Sequence, residues 1–215
     1  MGRKELFKDR DDASVALMQH LPLEQMKRED WLLVGISEDA VVIAGAIGQK
    51  LGLEIEWLVG AAITAPANSN CELGRVSETQ ELIINDDLVK AFDIKYDYVY
   101  AQAKRELEEK ILSKVYRYRK GRVLKEFEGR NILLIDDGAD SGLKLMCAIK
   151  TALLKSPNAV YIALPVIPKE VKRATESICD SVFFVHELDD YIETSCYYGK
   201  LESIEDEMII KILGN

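Results

Sequence analysis

Metal-binding residues are sparse in this chain. Its 215 residues include only two histidines, and its four cysteines form no C-x-x-C pair. Zinc sites in proteins are built from closely spaced cysteine and histidine, so this composition argues against a zinc site. Cys147 and Cys179 fall on or beside apolar segments, where we expect small buried side chains. Cys71 and Cys196 fall in predicted site loops, with no neighbouring histidine to activate them as nucleophiles.

Long apolar runs and an excess of basic residues are also missing. No stretch approaches the ~20 apolar residues of a membrane-spanning helix, and the charged start at 1–5 does not resemble a secretory signal. Acidic residues outnumber basic ones by 37 to 28, which gives a net charge of −9. This charge disfavours binding to nucleic acid or anionic membranes. We therefore expect a cytoplasmic protein with neither nucleic acid nor membrane as a partner.

The chain does contain enough apolar sequence for one sizeable core. Hydrophobic residues make up 48% of it, and no repeat or flexible linker divides it, so 1–215 is expected to form one domain. Helical spacing and short apolar runs alternate, which predicts a parallel sheet covered by helices on both faces. The predicted strands are Trp31–Ile36, Leu53–Val59, Asn131–Ile135, Ala159–Leu164 and Ser181–Val185. The predicted helices are Asp11–Leu21, Val41–Leu51, Leu143–Leu154 and Lys169–Ile178.

A long insertion breaks this alternation between the second and third predicted strands. Glu72–Val76 and Glu81–Ile84 predict a hairpin, Asp86–Phe92 a short helix and Tyr96–Lys120 a long helix. The long helix ends in a basic cluster that consists of Arg117, Arg119, Lys120 and Arg122. This cluster has two interpretations, favourable charge at a helix C-terminus or a contribution to a ligand site.

The most informative segment joins an apolar strand to a helix through two carboxylates. Asn131–Ile135 ends in Asp136 and Asp137, and a helix follows after a short turn. The turn and helix can direct backbone N–H groups and the positive end of the helix dipole at a phosphate. Paired carboxylates can accept hydrogen bonds from sugar hydroxyls or approach Mg²⁺. The plainer alternative is a turn followed by a capped helix. The candidate phosphate- and ribose-binding residues are Asp136, Asp137, Gly138, Ala139, Asp140, Ser141, Gly142, Leu143 and Lys144.

This segment resembles the loop of the type I phosphoribosyltransferases that binds 5-phosphoribosyl 1-pyrophosphate (PRPP). The loop pattern in that family is an apolar strand, two acidic residues, a short turn and Thr-Gly-x-Thr. Over nearly the whole chain, further segments resemble a family of predicted phosphoribosyltransferases in the same order. They are Phe7–Arg10, Ala65–Asn68, Glu72–Gly74, Glu81–Asn85, Leu88–Val89, the helix from Tyr96, Cys196–Tyr198 and Ile204–Glu207. The resemblance implies a type I phosphoribosyltransferase fold, with about 72–122 forming part of a hood over the site.

The resemblance also implies a ligand and roles for the site residues. Asp136 and Asp137 would hold the ribose hydroxyls of a phosphorylated sugar or nucleotide, and 138–142 would hold its phosphate. Mg²⁺, held through the two aspartates, is expected only if PRPP is used. Our first hypothesis is a phosphoribosyltransferase-like enzyme that uses PRPP or a ribose 5-phosphate ligand, with an unidentified acceptor and catalytic residue. The alternative is a non-catalytic descendant that senses a phosphorylated metabolite or binds a protein; a homodimer is left open.

The segments that would bind pyrophosphate depart from the family pattern. The family loop Gly-x-Pro-Arg-Gly-Gly reads Gly-Ile-Ser-Glu-Asp-Ala at 35–40. Alignment places Ala61 and Ala62, after the second strand, where the family has an Arg-Lys pair. An acid within ~5 Å of pyrophosphate costs on the order of kcal/mol at an effective dielectric of about 20. We therefore predict a degenerate pyrophosphate loop, consisting of Ser37, Glu38, Asp39 and Ala40.

The end that would bind the 5-phosphate has changed less. Ser141 keeps a hydroxyl where the family has threonine, and Gly142 keeps the glycine. Lys144 replaces the second threonine and is expected to reach a phosphate. Asp140 would repel that phosphate unless its carboxylate points outward. The two preceding aspartates, at the open end of a strand, are expected to be solvated.

Overall fold

Strands and helices alternate as the sequence predicts, with one antiparallel insertion. The computed structural model describes residues 5–66, 68–140 and 142–214, so Ala67 and Ser141 lie outside the described residues. The strands are β1 Trp31–Gly35, β2 Glu54–Trp57, β3 Gly60–Ala65, β4 Asn68–Ser77, β5 Leu82–Ile84, β6 Asn131–Ile135, β7 Ala159–Pro168 and β8 Ser181–Leu188. The helices are α1 Arg10–Met18, α2 Leu23–Met26, α3 Glu38–Leu51, α4 Asp86–Ala91, α5 Tyr96–Glu106, α6 Leu112–Arg119, α7 Leu143–Leu153, α8 Lys169–Glu176 and α9 Asp206–Ile212. Among the described residues, no helix is both long and apolar enough to cross a bilayer.

The main sheet is parallel and buried on both faces. Its strands lie in the order β2–β1–β6–β7–β8, and each neighbouring pair runs parallel. Leu32 and Val34 of β1 pack in a cluster with residues of α7. Trp31 and Leu33 pack on the opposite face with residues of α1 and α3. This alternation follows from the two-residue period of a strand, and it confirms the predicted α/β architecture with helices on both faces.

The strand register brings the candidate site residues to one edge of the sheet. Gly35 of β1 pairs with Ile135 of β6, which in turn pairs with Ala163 of β7. The carboxyl ends of the central strands therefore lie side by side, and Asp136 follows directly after one of them. In parallel sheets of this kind, ligands bind beyond the carboxyl ends of the strands.

The insertion begins earlier than predicted. We call residues 60–122 the hood; within it, β3, β4 and β5 form an antiparallel sheet. The sequence placed Ala61 and Ala62 at the end of the second core strand, and this is wrong because β2 ends at Trp57 and the two alanines belong to β3. Ala61 and Ile63 alternate into the core of the hood. The apolar run 57–59 made the core strand appear longer than it is.

The predicted long helix is helical throughout but is not uniform. A π-helical turn at Leu107–Ile111 separates α5 from α6, so the expectation of one regular helix is corrected. The sequence also predicts an apolar stripe of Leu107, Ile111, Leu112 and Val115 on this helix. Three of these residues pack on the hood core, but Leu112 is 52% exposed, so the prediction is wrong for Leu112. A π turn shifts the register of side chains on either side of it, and here both halves still contribute to the same core.

A buried ion-pair network attaches the hood to the main sheet. Arg119, at the end of α6, is 1% exposed. It bonds to Glu78 of the hood and lies 3.7 Å from Glu56 of β2. Arg122 donates to Glu56 at 2.8 Å, and burial raises the pKa of Glu78. These contacts assign Arg119 and Arg122 a structural role rather than a place in the ligand site.

This network predicts unequal effects for two neighbouring arginines. Arg119→Met should lower the free energy of unfolding by about 3–5 kcal/mol, because it leaves buried carboxylates without their partner. Arg117→Met should change it little, since Arg117 is an exposed residue whose ion pair with Asp206 spans 3.0 Å in solvent. Urea unfolding followed by tryptophan fluorescence measures both. Equal, small losses would show that the network does not stabilise the hood.

Candidate functional site

The turn between β6 and α7 is held from outside by the segment that follows β8. A side chain on Gly138 would lie 2.7 Å from the Tyr191 hydroxyl, so only glycine fits there. Asp140 accepts hydrogen bonds from the Thr194 backbone N–H at 2.8 Å and from its hydroxyl at 2.9 Å. These two bonds orient the Asp140 carboxylate towards Thr194, although neutral donors do not cancel its charge and Asp140 still lines the cavity described below.

The start of α7 has the geometry of an anion site. Gly142 caps the helix in the left-handed conformation, with φ of 73°, which glycine adopts without strain. Its carbonyl oxygen accepts the Met146 N–H at 2.9 Å. The first N–H groups of a helix have no partner within the helix, and the dipole favours negative charge there. The hydroxyl contact expected of Ser141 lies outside the described residues.

Asp136 is buried between three elements instead of being solvated. It is 1% exposed. Its Oδ1 accepts a hydrogen bond from the Ser37 hydroxyl at 2.6 Å, and its Oδ2 lies 2.6 Å from Lys144 Nζ. The expectation of an exposed carboxylate is therefore wrong. The first turns of α3 and α7 cover the end of β6, and linear spacing does not show how helices close over a strand end.

Asp137 is also buried, and its pKa is perturbed. It is 7% exposed, and burial, reinforced by the charge of Asp136, raises its pKa well above the usual range. Burial disfavours the charged form of Lys144, but the two aspartates outweigh it and raise the pKa of that ammonium. The Tyr198 hydroxyl donates to the Asp137 carbonyl at 2.8 Å. Asp137 therefore keeps its proton to higher pH than an ordinary aspartic acid does.

A cavity of about 100 Å³ opens at this junction. A space of this size holds several water molecules. Its lining residues are Glu72, Arg75, Asp136, Ala139, Asp140, Gly142, Lys144 and Leu145. Arg75 comes from β4 of the hood and pairs with Glu72 at 2.8 Å. Arg75 is not among the site residues predicted from the sequence, although a basic residue in a predicted hood strand was the available signal.

The predicted pyrophosphate loop is largely the first turn of a helix. Ser37 caps α3, and its side chain accepts the Ala40 N–H. Glu38 pairs with Lys114 of α6 at 2.7 Å, and Asp39 pairs with Arg10 of α1. The prediction of a loop at 37–40 is corrected, because α3 starts at Glu38. Two acids in the first turn satisfy the helix dipole, so this end offers a pyrophosphate little positive potential.

The cysteines follow the packing that the sequence predicts for two of them. Cys147 is buried, and burial raises its pKa to about 12. Cys179 is half-buried, and burial raises its pKa to about 11. Thiols with raised pKa values are poor nucleophiles at neutral pH.

Magnesium does not fit the aspartate pair in this arrangement. Mg²⁺ requires oxygen ligands in near-octahedral geometry, whereas both oxygens of Asp136 are bonded to Ser37 and Lys144. Within 5–66, 68–140 and 142–214, no group of three or more His, Cys, Asp or Glu residues is placed to hold a metal ion. The Lys144 ammonium lies beside Asp136, in the position that a metal ion would have to reach.

Comparisons with known proteins identify relatives of this chain. No family model matches the chain. Two Mycobacterium tuberculosis proteins, from strains CDC 1551 and H37Rv and each named "Putative phosphoribosyl transferase", are 25% identical to it over 178 residues. That alignment covers 83% of this chain and 40% of each relative. The crystal structure of TT1426 from Thermus thermophilus matches with a TM-score of 0.77 at 25% identity, covering 96% of this chain and 97% of that one. The resemblance to a phosphoribosyltransferase-like superfamily is confirmed.

A solved structure of lower identity aligns with a lower TM-score. A hypoxanthine phosphoribosyltransferase from Staphylococcus aureus aligns with a TM-score of 0.48 at 12% identity, over 87% of this chain and 78% of that one. The chain spans less than half the length of the curated relatives it matches. The similarity therefore concerns the fold and the residues aligned, not the activity of those longer proteins.

The two aspartates of the candidate site should differ in their contribution to stability. Asp136→Asn removes the partner of the Lys144 ammonium, so the free energy of unfolding at pH 7 should fall by about 3–5 kcal/mol. Asp137→Asn should cost much less, because a neutral amide replaces a carboxyl that resists ionisation. Urea titration of both variants measures the difference. Equal losses would contradict a stabilising role that is specific to the contact between Asp136 and Lys144.

The raised pKa of Asp137 also predicts a pH dependence. Its contribution to stability is fully present below the pKa of the unfolded carboxyl, about 3.9, and is lost as the pH rises through the folded pKa. Asp137→Asn should therefore flatten the decline in stability with rising pH, by up to about 1.4 kcal/mol per pH unit. Thermal unfolding between acid and neutral pH measures this, and superimposable profiles for the variant and the unmodified protein would contradict it.

Proposed function

We propose that this chain binds the phosphate of a ribose 5-phosphate-containing ligand, a nucleotide or PRPP, at the start of α7. The cavity between Gly142, Lys144 and Arg75 carries this proposal. Two cations and the positive end of an eleven-residue helix meet there, a combination that suits a phosphate. The names of the two curated relatives support a phosphoribosyl ligand.

The proposed roles differ from those that the resemblance implied. Residues 138–142 and Lys144 hold the phosphate, and Arg75 adds a second charge from the hood. Asp136 orients Lys144 instead of holding ribose hydroxyls, because both its oxygens are already engaged. The turn keeps its shape because Thr194 binds Asp140.

Transfer of the phosphoribosyl group to an acceptor is the less supported half of the first hypothesis. It requires positive charge where the pyrophosphate leaves. Glu38 and Asp39 occupy the corresponding helix start, and Lys114 and Arg10 are already paired with them. This observation favours the second candidate function, a non-catalytic protein that senses a phosphorylated metabolite.

Ligand preference tests this proposal. Ribose 5-phosphate, AMP and PRPP should bind with similar affinity in calorimetry, because the diphosphate of PRPP gains no favourable contact. Any of them at ~100 times its dissociation constant should stabilise the fold by ~2.7 kcal/mol. A preference for PRPP of about tenfold, ~1.4 kcal/mol, would contradict the proposal of a dismantled pyrophosphate site. Absence of binding by all three would contradict the proposed function itself.

Two basic residues on neighbouring elements give a matched pair of variants. Arg75→Gln should weaken ribose 5-phosphate binding by tenfold or more, because a hydrogen bond to a charged group contributes about 1.5–3 kcal/mol. Lys150→Gln is the control, since Lys150 of α7 pairs with Glu81 at 3.3 Å. The loss in Arg75→Gln should shrink at high salt. Equal affinities for the two variants would remove Arg75 from the site.

A further inference from the structure

We infer that Lys144 occupies, at Asp136, the position that a divalent cation would take, so that ligand binding at this junction does not require Mg²⁺. The first half of this inference concerns the ligand-free protein alone. The second half rests on the proposed function. The inference as a whole gives this chain an internal cation, the Lys144 ammonium in the first turn of α7.

The geometry around Asp136 leaves no place for an ion. Lys144 Nζ lies 2.6 Å from Oδ2, and the Ser37 hydroxyl lies 2.6 Å from Oδ1. These partners come from two different elements, the N-cap of α3 and the first turn of α7. A divalent ion would have to displace the ammonium from a carboxylate that is almost fully buried.

The other carboxylates around the cavity are also engaged. Glu72 pairs with Arg75 at 2.8 Å, and Asp140 accepts two hydrogen bonds from Thr194. A metal ion in the cavity would therefore share it with the cationic groups of Lys144 and Arg75, and each carboxylate of the lining already has a partner. Like charges at contact distance repel strongly where water is partly excluded.

Lys144 can contact Asp136 and a ligand oxygen at the same time, as a bridging cation does. Its side chain is about three-quarters buried, being 25% exposed, and it lines the cavity as well as touching Asp136. An ammonium has three donors, so contact with Asp136 leaves donors for a ligand oxygen. The single fixed charge links carboxylate and ligand without the coordination geometry that Mg²⁺ demands.

Manganese binding to the ligand-free protein tests the first half of the inference. Titration followed by Mn²⁺ electron paramagnetic resonance should show no saturable site in the unmodified protein. Lys144→Thr and Lys144→Gln should each gain one saturable site, and adding Asp136→Asn should remove it. Lys150→Thr, a change of the same size and charge on the same helix, should gain none.

Two results of the Mn²⁺ titration would contradict the first half of the inference. Saturable Mn²⁺ binding by the unmodified protein would overturn the inference even if neither Lys144 variant folds. Folded Lys144 variants that gain no site, as judged after circular dichroism shows them to be native, would overturn it as well.

Ribose 5-phosphate calorimetry with Mg²⁺ or with EDTA tests the second half. Equal affinity in both buffers is the expected result. Binding that needs Mg²⁺ would overturn the inference while leaving the proposed function intact. No binding in either buffer would overturn the proposed function and the second half, and the Mn²⁺ titration would still decide the role of Lys144.

Discussion

The contact between Lys144 and Asp136 organises the candidate site. A carboxylate that is almost fully buried is costly unless it is paired and hydrogen-bonded, and Asp136 obtains its partners from α3 and α7. Three elements thus converge on one side chain at the edge of the sheet. Asp136 at the end of β6 and Lys144 in the first turn of α7 are thus fixed relative to each other, which sets where the N-terminus of α7 lies.

The hood completes the site because it is attached at two places. The buried contacts of Arg119 join it to β2, and the Ser77 hydroxyl, 3.0 Å from the Thr151 hydroxyl, joins it to α7. Strand β4 of the hood positions Arg75 in the lining of the cavity. At the start of α3, Glu38 and Asp39 pair with Lys114 and Arg10, two cations that could otherwise contact a pyrophosphate. The first turn of α3 thus carries two acids, whereas the first turn of α7 carries none, so the helix dipole favours an added anion at the start of α7 only.

The sequence predicted what depends on local pattern. The apolar run of β6 was placed to the residue and α7 to within one residue, because strand and helix periodicity are local signals. The burial of Asp136 was missed, since its partner Ser37 lies 99 residues away. Strand β3 was missed because Ala61 and Ala62 give a weak strand signal. The role of Arg75 depends on how the hood folds back over α7, which no spacing along the chain shows.

The central claim is that a phosphate binds at the first turn of α7 and not at α3. Amide chemical shifts of the ¹⁵N-labelled protein, followed during titration with ribose 5-phosphate, test it most directly. We predict saturable shifts at Gly142, Lys144 and Arg75, with Glu38 and Asp39 unchanged, in the presence of EDTA. Shifts confined to 38–40, or shifts at Gly142 that appear only when Mg²⁺ is added, would contradict this account.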